Sequence, residues 1–353
     1  MSMNETYLAR RQRKILRLLA SHPLSRDQIQ RSLVEKVSKP TLFRDLRKLI
    51  SAGLVKSFGL GKATVYQRVD DHLLLLPPHK KISSERSINF NFEIFDHLHD
   101  LFTPGEIAHL GSIYKNLNTQ IAELGDTIAK RELERFVIEL AWKSSRIEGN
   151  TYSLLETETL IKTHQEAEGH TKEEAAMILN HKAAFDTILV HRESFKTLDL
   201  SDITQLHNVL IQKLHVDPGV RKHPVGITGT LYRPLDNEWQ IREALEKFIA
   251  VINASPHPLE KALIASAMVA YIQPFADGNK RTSRMLTNAI LVAHDFYPLS
   301  YRVVNETLYK QALINFYEQH SLYKLKRILI EQYEFALNNY FRTNPSPAPS
   351  VNP

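Results

Sequence analysis

The chain has 353 residues, of which 43% are hydrophobic and 24% charged, and it contains no cysteine. These proportions are typical of globular proteins, and the lack of cysteine excludes disulfides, thiolate metal sites and cysteine nucleophiles. At about 150 residues per domain, the length predicts two domains. No apolar stretch reaches the roughly 18 residues of a membrane helix, and residues 1–9 carry no apolar export signal. We therefore expect a cytoplasmic protein without membrane contact.

The formal net charge of +6 is divided unevenly along the chain. Residues 1–70 contain 15 Lys and Arg against 5 Asp and Glu, a net charge of +10, whereas the remainder carries −4. A basic module of this size is typical of proteins that bind a polyanion, because each neutralised phosphate releases counterions. Charge alone leaves a solvated basic surface as the alternative, so the pattern of elements has to decide.

Two short helices are predicted first. Apolar residues at helical spacing, interleaved with basic ones, indicate a helix over residues 7–20 that Pro23 ends. Ser25 is the expected N-cap of a second helix, and Gln28 occupies the capping-box position. Both helices would pack their apolar residues inward.

A third helix and a hairpin follow. The helix is expected from about Lys39 to Gly53, and its inner face should comprise Leu42, Leu46, Leu49 and Ile50. Residues 54–69 form two short segments around a Gly59–Leu60–Gly61 turn, the second of which alternates in period two. This pattern predicts a β-hairpin.

The order of these elements resembles a winged helix-turn-helix domain over residues 1–76. The resemblance implies that the third helix enters the major groove of DNA and that the hairpin is the wing. The residues expected to contact DNA are Thr41, Arg44, Arg47 and Lys48 on the helix and Lys56 and Lys62 on the wing. The charge of +10 favours DNA over a module that contacts only proteins.

Residues 77–91 are polar and contain proline, which predicts a linker. Residues 92–342 are expected to be nearly all helical, with capping boxes that begin at Thr103 and Thr171. The exception is residues 224–234, which read as a short hairpin whose edge could pair with an extended peptide. The proline-rich segment 343–353 is predicted to be disordered.

The segment Gln273–Arg284 reads QPFADGNKRTSR and lies between two apolar helices. It is a tight loop that leads into a helix N-terminus, where the amides around Gly278 can face an anion. Arg281 and Arg284 can project from one face of the first turn, and Asp277 offers an oxygen ligand suited to Mg²⁺ beside phosphates. These groups indicate a site for a metal-bound di- or triphosphate. The alternative, an incidental polar loop, leaves this concentration of charge unexplained.

This segment resembles the signature of the Fic (Fido) family, His-x-Phe-x-(Asp/Glu)-Gly-Asn-(Gly/Lys)-Arg-x-x-Arg, and departs from it clearly at one position. The resemblance covers roughly residues 92–340 and implies an α-helical bundle with a small β-hairpin flap. The whole chain is therefore expected to be mainly α, with a winged helix-turn-helix preceding the Fic/Fido bundle.

The resemblance also implies ligands and partners. ATP and Mg²⁺ would bind at the signature, with Asp277 coordinating the metal. The nucleotide would be held by Gly278, Asn279, Lys280, Arg281 and Arg284. The flap at 224–234 would hold a protein target, and the family suggests a homodimer by analogy alone.

A second element of the family lies upstream, where residues 144–149 fit the inhibitory pattern (Ser/Thr)-x-x-x-Glu-(Gly/Asn). The resemblance implies that Ser144 and Glu148 belong to an inhibitory helix. Glu148 would pair with Arg284 and keep the γ-phosphate of ATP from its productive position, since a carboxylate on a guanidinium excludes phosphate.

Two positions of the signature carry consequences for catalysis. Gln273 stands where the family has its catalytic His, the general base for a target hydroxyl, and such a base is worth about 10²–10⁴-fold in rate. Lys280 is glycine in most members that transfer AMP and lysine in Doc-type kinases, so the type of transfer is left open. Asp277 and Gly278 still follow the AMP-transferring pattern.

Two functions therefore remain from the sequence. The first is a DNA-binding regulator with a Fic body that binds Mg·ATP, in which AMP transfer is weak or absent. The second is an active protein adenylyltransferase that Glu148 inhibits. A Doc-like phosphotransferase is a third reading that rests on Lys280 only.

Overall fold

The computed structural model describes residues 10–19, 23–33, 37–51, 54–59, 61, 64–68, 73–75, 77–78, 88–114 and 116–342. The chain is mainly helical, as predicted. It divides into two compact units, residues 1–85 with 319–323 and residues 86–318 with 324–353. The predicted linker spans this division, and most of it, like the predicted disordered tail 343–353, lies outside the described residues.

The described part of the first unit contains helices and a three-stranded antiparallel sheet. Its strand order is β1-β3-β2, and Val55 pairs with Arg68 in the hairpin. Ser25 and Gln28 form the predicted capping box at the start of the second helix. The elements are α1 (Arg10–Leu18), β1 (Leu24–Ser25), α2 (Arg26–Ser32), α3 (Lys39–Ser51), β2 (Val55–Phe58) and β3 (Val65–Arg68). The predicted helix end at Gly53 lies outside the described residues.

The core of the first unit is centred on α3. Leu42, Leu46 and Leu49 are fully buried, as their helical spacing predicts. Ile50 was expected on the same face but is 38% exposed, because one residue beyond Leu49 the helix has turned by about 100°. Asp45 is also buried, and it accepts hydrogen bonds from the side chains of Arg11 and Gln12.

The second unit is a helical body with one two-stranded sheet among its described residues. Its helices are α4 (Pro104–Ile113), α5 (Leu117–Leu124), α6 (Asp126–Ile147), α7 (Leu154–Thr163), α8 (Lys172–Val190), α9 (Leu200–Leu210), α10 (Glu238–Ala254), α11 (Pro258–Ile272), α12 (Asn279–Ala293), α13 (Glu306–Gln319) and α14 (Tyr323–Asn339). Its strands are β4 (Ile88–Asn89) and β5 (Tyr232–Arg233). The capping boxes predicted at Thr103 and Thr171 are present.

Helices α11 and α12 form the centre of this body. Every residue of α11 from Leu259 to Ile272 is buried, as are all residues of α12 except Lys280. A largely apolar helix such as α11 must be surrounded, and it packs against α10 and α12. Helix α12 in turn packs against α8, α9 and α6. The loop that connects α11 to α12 is therefore held from both ends by the core.

The predicted hairpin at 224–234 was wrong. Thr228 and Gly229 form the expected turn, but the two arms do not pair with each other. Instead β5 pairs in parallel with β4, and the Ile88 N–H donates to the Leu231 carbonyl (3.1 Å). Glu318 accepts hydrogen bonds from the Leu231 N–H and the Thr230 hydroxyl, so much of this edge is already occupied.

No helix in the described part of the chain is long and apolar enough to cross a membrane.

The packing of α3 predicts that two apolar residues on this helix contribute very differently to the stability of the first unit. Leu46→Ala should destabilise the first unit by about 2–5 kcal/mol, because it removes buried methyl groups and leaves a cavity. Ile50→Ala, on the exposed side of the same helix, should cost less than about 1 kcal/mol. Hydrogen exchange of the α3 amides measures both values. Equal costs for the two variants would contradict the assigned core face.

Candidate nucleotide-binding site

The turn between α11 and α12 is set by two residues in left-handed conformations. Gln273 ends α11 with φ of 52°, and Gly278 precedes α12 with φ of 81°. A Cβ on Gly278 would lie 3.3 Å from Ile211 Cγ2 and 3.4 Å from Arg281 Nη2. Both its backbone conformation and its close packing therefore favour glycine.

Asn279 holds the loop in shape from the inside. Its Oδ1 accepts a hydrogen bond from the Phe275 N–H (2.9 Å), and its Nδ2 donates to the Phe275 carbonyl (2.8 Å). Phe275 stacks on His207 with a centroid distance of 3.7 Å. Because Gly278 provides no capping side chain, the first amides of α12 keep their capacity to bind an anion.

The two arginines of the signature lie on α12 and are both buried. Arg281 donates to the Leu210 carbonyl (3.2 Å) and pairs with Asp277 Oδ2 (2.9 Å). Arg284 is fully buried and donates to Ser144 through its Nε (Oγ, 2.9 Å) and its Nη2 (carbonyl, 3.0 Å). Its Nη1 is buried without a hydrogen-bond partner, so a donor is available for a phosphate oxygen.

Glu148 lies directly after the last residue of α6, between two cations of α12. Its Oε1 is 2.9 Å from Arg284 Nη2, and its Oε2 is 3.2 Å from Lys280 Nζ. Burial by itself would raise the pKa of Glu148, but the charges of Arg284 and Lys280 lower it to about 2. The contact with Arg284 is the one that the family resemblance implies. The contact with Lys280 was missed, because Lys280 had been assigned to phosphate.

Gln273 faces into the protein. Its side chain is 7% exposed, its Nε2 donates to the Ala270 carbonyl (2.6 Å), and its Oε1 accepts from Asn279 Nδ2 (3.0 Å). Both polar atoms are thus engaged within the loop.

Arg221 is a residue of this site that the sequence reasoning missed. Its Nε donates to the Gln273 carbonyl (2.7 Å), and its other nitrogens donate to the carbonyls of His223 and Leu235. It is buried and connects both ends of segment 223–235 to the signature loop. No local pattern distinguishes it from the neighbouring Lys222, because its partners come from distant parts of the chain.

A substitute for the missing base would have to be another imidazole near the loop, and His207 and His257 are two candidates. His207 lies close to the loop, but its Nε2 bonds to the Asp277 carbonyl (2.9 Å), and burial lowers its pKa to about 4. His257 caps the opposite end of α11, which at 15 residues is about 22 Å long. Neither imidazole is placed to accept a proton in front of the loop.

The Mg²⁺ that the resemblance implies has one candidate ligand here. Asp277 is 70% exposed and uses Oδ2 for Arg281, so its carboxylate is open to solvent near the start of α12. The described residues contain no cluster of three or more His, Asp or Glu that could hold a metal. A single carboxylate fits Mg²⁺ that is shared with phosphate oxygens and water.

Comparisons with known proteins show which proteins the chain is similar to. Residues 197–291, which include the whole signature loop and most of α12, match the Fic/DOC family model. These residues form a Fic/DOC family domain. The chain is 31% identical over 185 residues to a protein adenylyltransferase Fic from Culex quinquefasciatus, covering 49% of this chain and 36% of that protein. It is 28% identical over 163 residues to the Drosophila melanogaster protein of the same name, covering 45% and 33%. The chain thus spans about a third of the length of these relatives.

About two thirds of the chain has the same fold as solved structures of Fic proteins. A Fic-1 fragment from C. elegans is similar with a TM-score of 0.56 and 23% identity, over 66% of this chain and 70% of that one. A Fic domain containing signaling protein from Bacteroides thetaiotaomicron gives 0.52 and 18%, over 65% and 95%. At these identities the likeness concerns the fold.

The lowered pKa of Glu148 predicts how stability depends on pH. Since the folded-state pKa of about 2 lies below the ordinary value of 4.5, Glu148 stabilises the fold above pH 4.5, and this contribution is lost as the pH falls towards 2. Glu148→Gln should therefore destabilise the protein by about 2–3 kcal/mol at pH 7, and the difference from the parent should shrink at pH 3. Urea unfolding at both pH values measures it.

The matched control is Glu158→Gln. Glu158 forms an ion pair with Lys162 (2.7 Å) on the exposed surface of α7, so it should contribute less than about 1 kcal/mol. A Glu148→Gln effect as small as that of the control would contradict the buried ion pairs.

Proposed function

We propose that the protein is a DNA-binding regulator whose Fic/DOC domain binds Mg·ATP and transfers AMP weakly or not at all. The observation that carries the proposal is the combination in one loop of an uncapped helix N-terminus and two buried arginines with a Gln273 that is turned inward. Binding and chemistry are separate requirements, and the loop meets only the first.

The nucleotide would be bound by groups that already converge at the start of α12. The amides from Gly278 to Lys280 would bind phosphate oxygens, and Arg281 and Arg284 would neutralise their charge. Mg²⁺ on Asp277 would bridge phosphate oxygens and supply further charge neutralisation.

Glu148 would act as an internal anion at this site. Its carboxylate occupies Lys280 and Arg284, the cations that a terminal phosphate would otherwise meet. A triphosphate that binds in full must displace Glu148 or share its cations, so the domain would bind ATP weakly until Glu148 moves.

Proton abstraction is what this site lacks. A general base needs a group that titrates near the operating pH and lies within hydrogen-bond reach of the target hydroxyl. An amide cannot accept that proton, and His207 is bonded to the Asp277 carbonyl. Adenylyl transfer would then be slower by about 10²–10⁴-fold than with a base.

The first unit would bind DNA. Arg44, Arg47 and Lys48 are exposed on α3 opposite its buried face, and Lys56 is exposed on β2. Thr41 is partly buried, with its hydroxyl 2.8 Å from that of Ser38, and Lys62 lies outside the described residues. The three-helix and sheet order supports a winged helix-turn-helix, in which α3 would enter the major groove.

A second function, an active protein adenylyltransferase, is favoured by the names of the relatives and by Glu148, since a carboxylate that competes with a terminal phosphate would also inhibit transfer. Segment 224–234 would then hold the protein target. A Doc-like phosphotransfer has less support, because Lys280 is paired with Glu148.

Removal of the internal carboxylate should reveal nucleotide binding. Glu148→Gly should bind Mg·ATP at least about tenfold more tightly than the parent, since Lys280 and Arg284 become available, and Glu158→Gly should not. Addition of Arg281→Gln to Glu148→Gly should abolish the gain. Isothermal titration calorimetry measures all four proteins, and no binding by Glu148→Gly would contradict the proposed nucleotide site.

DNA binding should depend on salt according to the exposed cations of α3. The triple variant Arg44→Ala, Arg47→Ala, Lys48→Ala should reduce the slope of log K against log salt by about 3 and weaken binding to a mixed-sequence 24-base-pair duplex. Lys182→Ala, which removes a half-buried lysine of the second unit, is the control. Fluorescence anisotropy from 50 to 200 mM salt measures the slope, and an unchanged slope would contradict the assignment of DNA to α3.

A further inference from the structure

The side chain of Gln273 joins the two ends of the signature loop. One end of this contact is the last turn of α11, through Ala270, and the other is Asn279 at the first position of α12. Asn279 in turn bonds to both backbone groups of Phe275 in the middle of the loop. These contacts form a continuous chain of hydrogen bonds, which we name the Gln273 clasp: Ala270, Gln273, Asn279 and Phe275.

The amide nitrogen and the amide oxygen of Gln273 each form a hydrogen bond, and the two bonds go to different residues. Nε2 donates to a carbonyl and Oε1 accepts from an amide nitrogen, so the position needs a donor and an acceptor on one short planar group. Gln273 is also buried, which makes an unpaired polar atom there costly. An amide side chain meets this requirement, and an apolar or purely acceptor side chain does not.

The clasp holds the part of the loop, just before and at the start of α12, that would face an anion. Asn279 is the residue whose amide opens α12, and it directly follows Gly278, whose left-handed backbone directs the turn. We propose that Gln273 is a positioning residue that fixes the backbone of residues 275–280 for anion binding, so that an amide at this position serves the loop in its own right. This proposal deepens the nucleotide site and rests on the proposed function for its ligand.

Substitutions at Gln273 distinguish a side chain that positions the loop from one that has only replaced the catalytic His. Gln273→Met keeps the length of the side chain and removes both hydrogen bonds. Gln273→Glu keeps the acceptor for Asn279, and only its protonated form can also donate to Ala270. Gln205→Met, an exposed glutamine on α9 two residues before His207, is the control for the change in residue type.

Two measurements are made on the full chain. The first is amide hydrogen exchange of residues 273–284 without nucleotide, which does not depend on the proposed function. We expect Gln273→Met to accelerate exchange there at least about fivefold with no change in α5 or α14, and Gln205→Met to leave it unchanged. Unaltered exchange in Gln273→Met would overturn the clasp.

The second measurement is Mg·ATP affinity in the Glu148→Gly background. Gln273→Met should weaken binding about tenfold, and Gln273→Glu should recover part of the loss at pH 5 relative to pH 7.5, whereas the ratio of Gln273→Met to its parent stays constant with pH. Equal affinity of the Gln and Met proteins would overturn the positioning role.

Failure of the proposed function gives a different result. If the Glu148→Gly parent does not bind Mg·ATP but Gln273→Met still accelerates exchange in 273–284, the nucleotide site is contradicted and the clasp is supported.

Discussion

The carboxylate of Glu148 resolves a charge problem that the centre of the fold creates. Helix α12 begins with Lys280, Arg281 and Arg284 close together at its positive end, where the helix dipole adds to their repulsion. Arg284 is fully buried, so it needs an anion or hydrogen-bond acceptors at close range. Asp277 serves Arg281, and Glu148 serves Arg284 and Lys280.

This requirement explains why α6 ends where it does. Ser144, in the last turn of α6, accepts a hydrogen bond from Arg284. Glu148 is the first residue after the helix, and its carboxylate contacts the same guanidinium. Gly149 follows with φ of 104°, a conformation that favours glycine and turns the chain away from the axis of α6. A phosphate would satisfy the same cations, so a nucleotide that bound here would compete with the ion pairs that stabilise the free protein.

Part of the fold and of the candidate site could be predicted from the sequence, because it depends on local patterns. The apolar spacing of α11 and α12, the capping boxes at Ser25, Thr103 and Thr171, and the inner face of α3 from Leu42 to Leu49 are properties of neighbouring residues. The approach of Glu148 to Arg284 came from a family motif, since nothing in the spacing of two residues 136 positions apart indicates contact.

The features that escaped prediction depend on partners distant in the chain. The segment 224–234 alternates as a hairpin would, yet its strand pairs with residues 88–89, which supply hydrogen bonds that no local pattern reveals. Arg221 similarly acts through the carbonyls of Gln273 and Leu235. The inward direction of Gln273 follows from its left-handed backbone and from Asn279, whereas the signature alone shows only that an imidazole is missing.

We propose that this loop binds a nucleotide and does not carry out efficient transfer. The most direct test incubates Glu148→Gly, with Gln273 intact, with Mg·ATP labelled on the α-phosphate and follows both bound and covalently attached label. We expect bound nucleotide that is released on denaturation, with little or no label left on the protein. Rapid covalent labelling of this variant would contradict it and establish an active transferase whose base lies elsewhere.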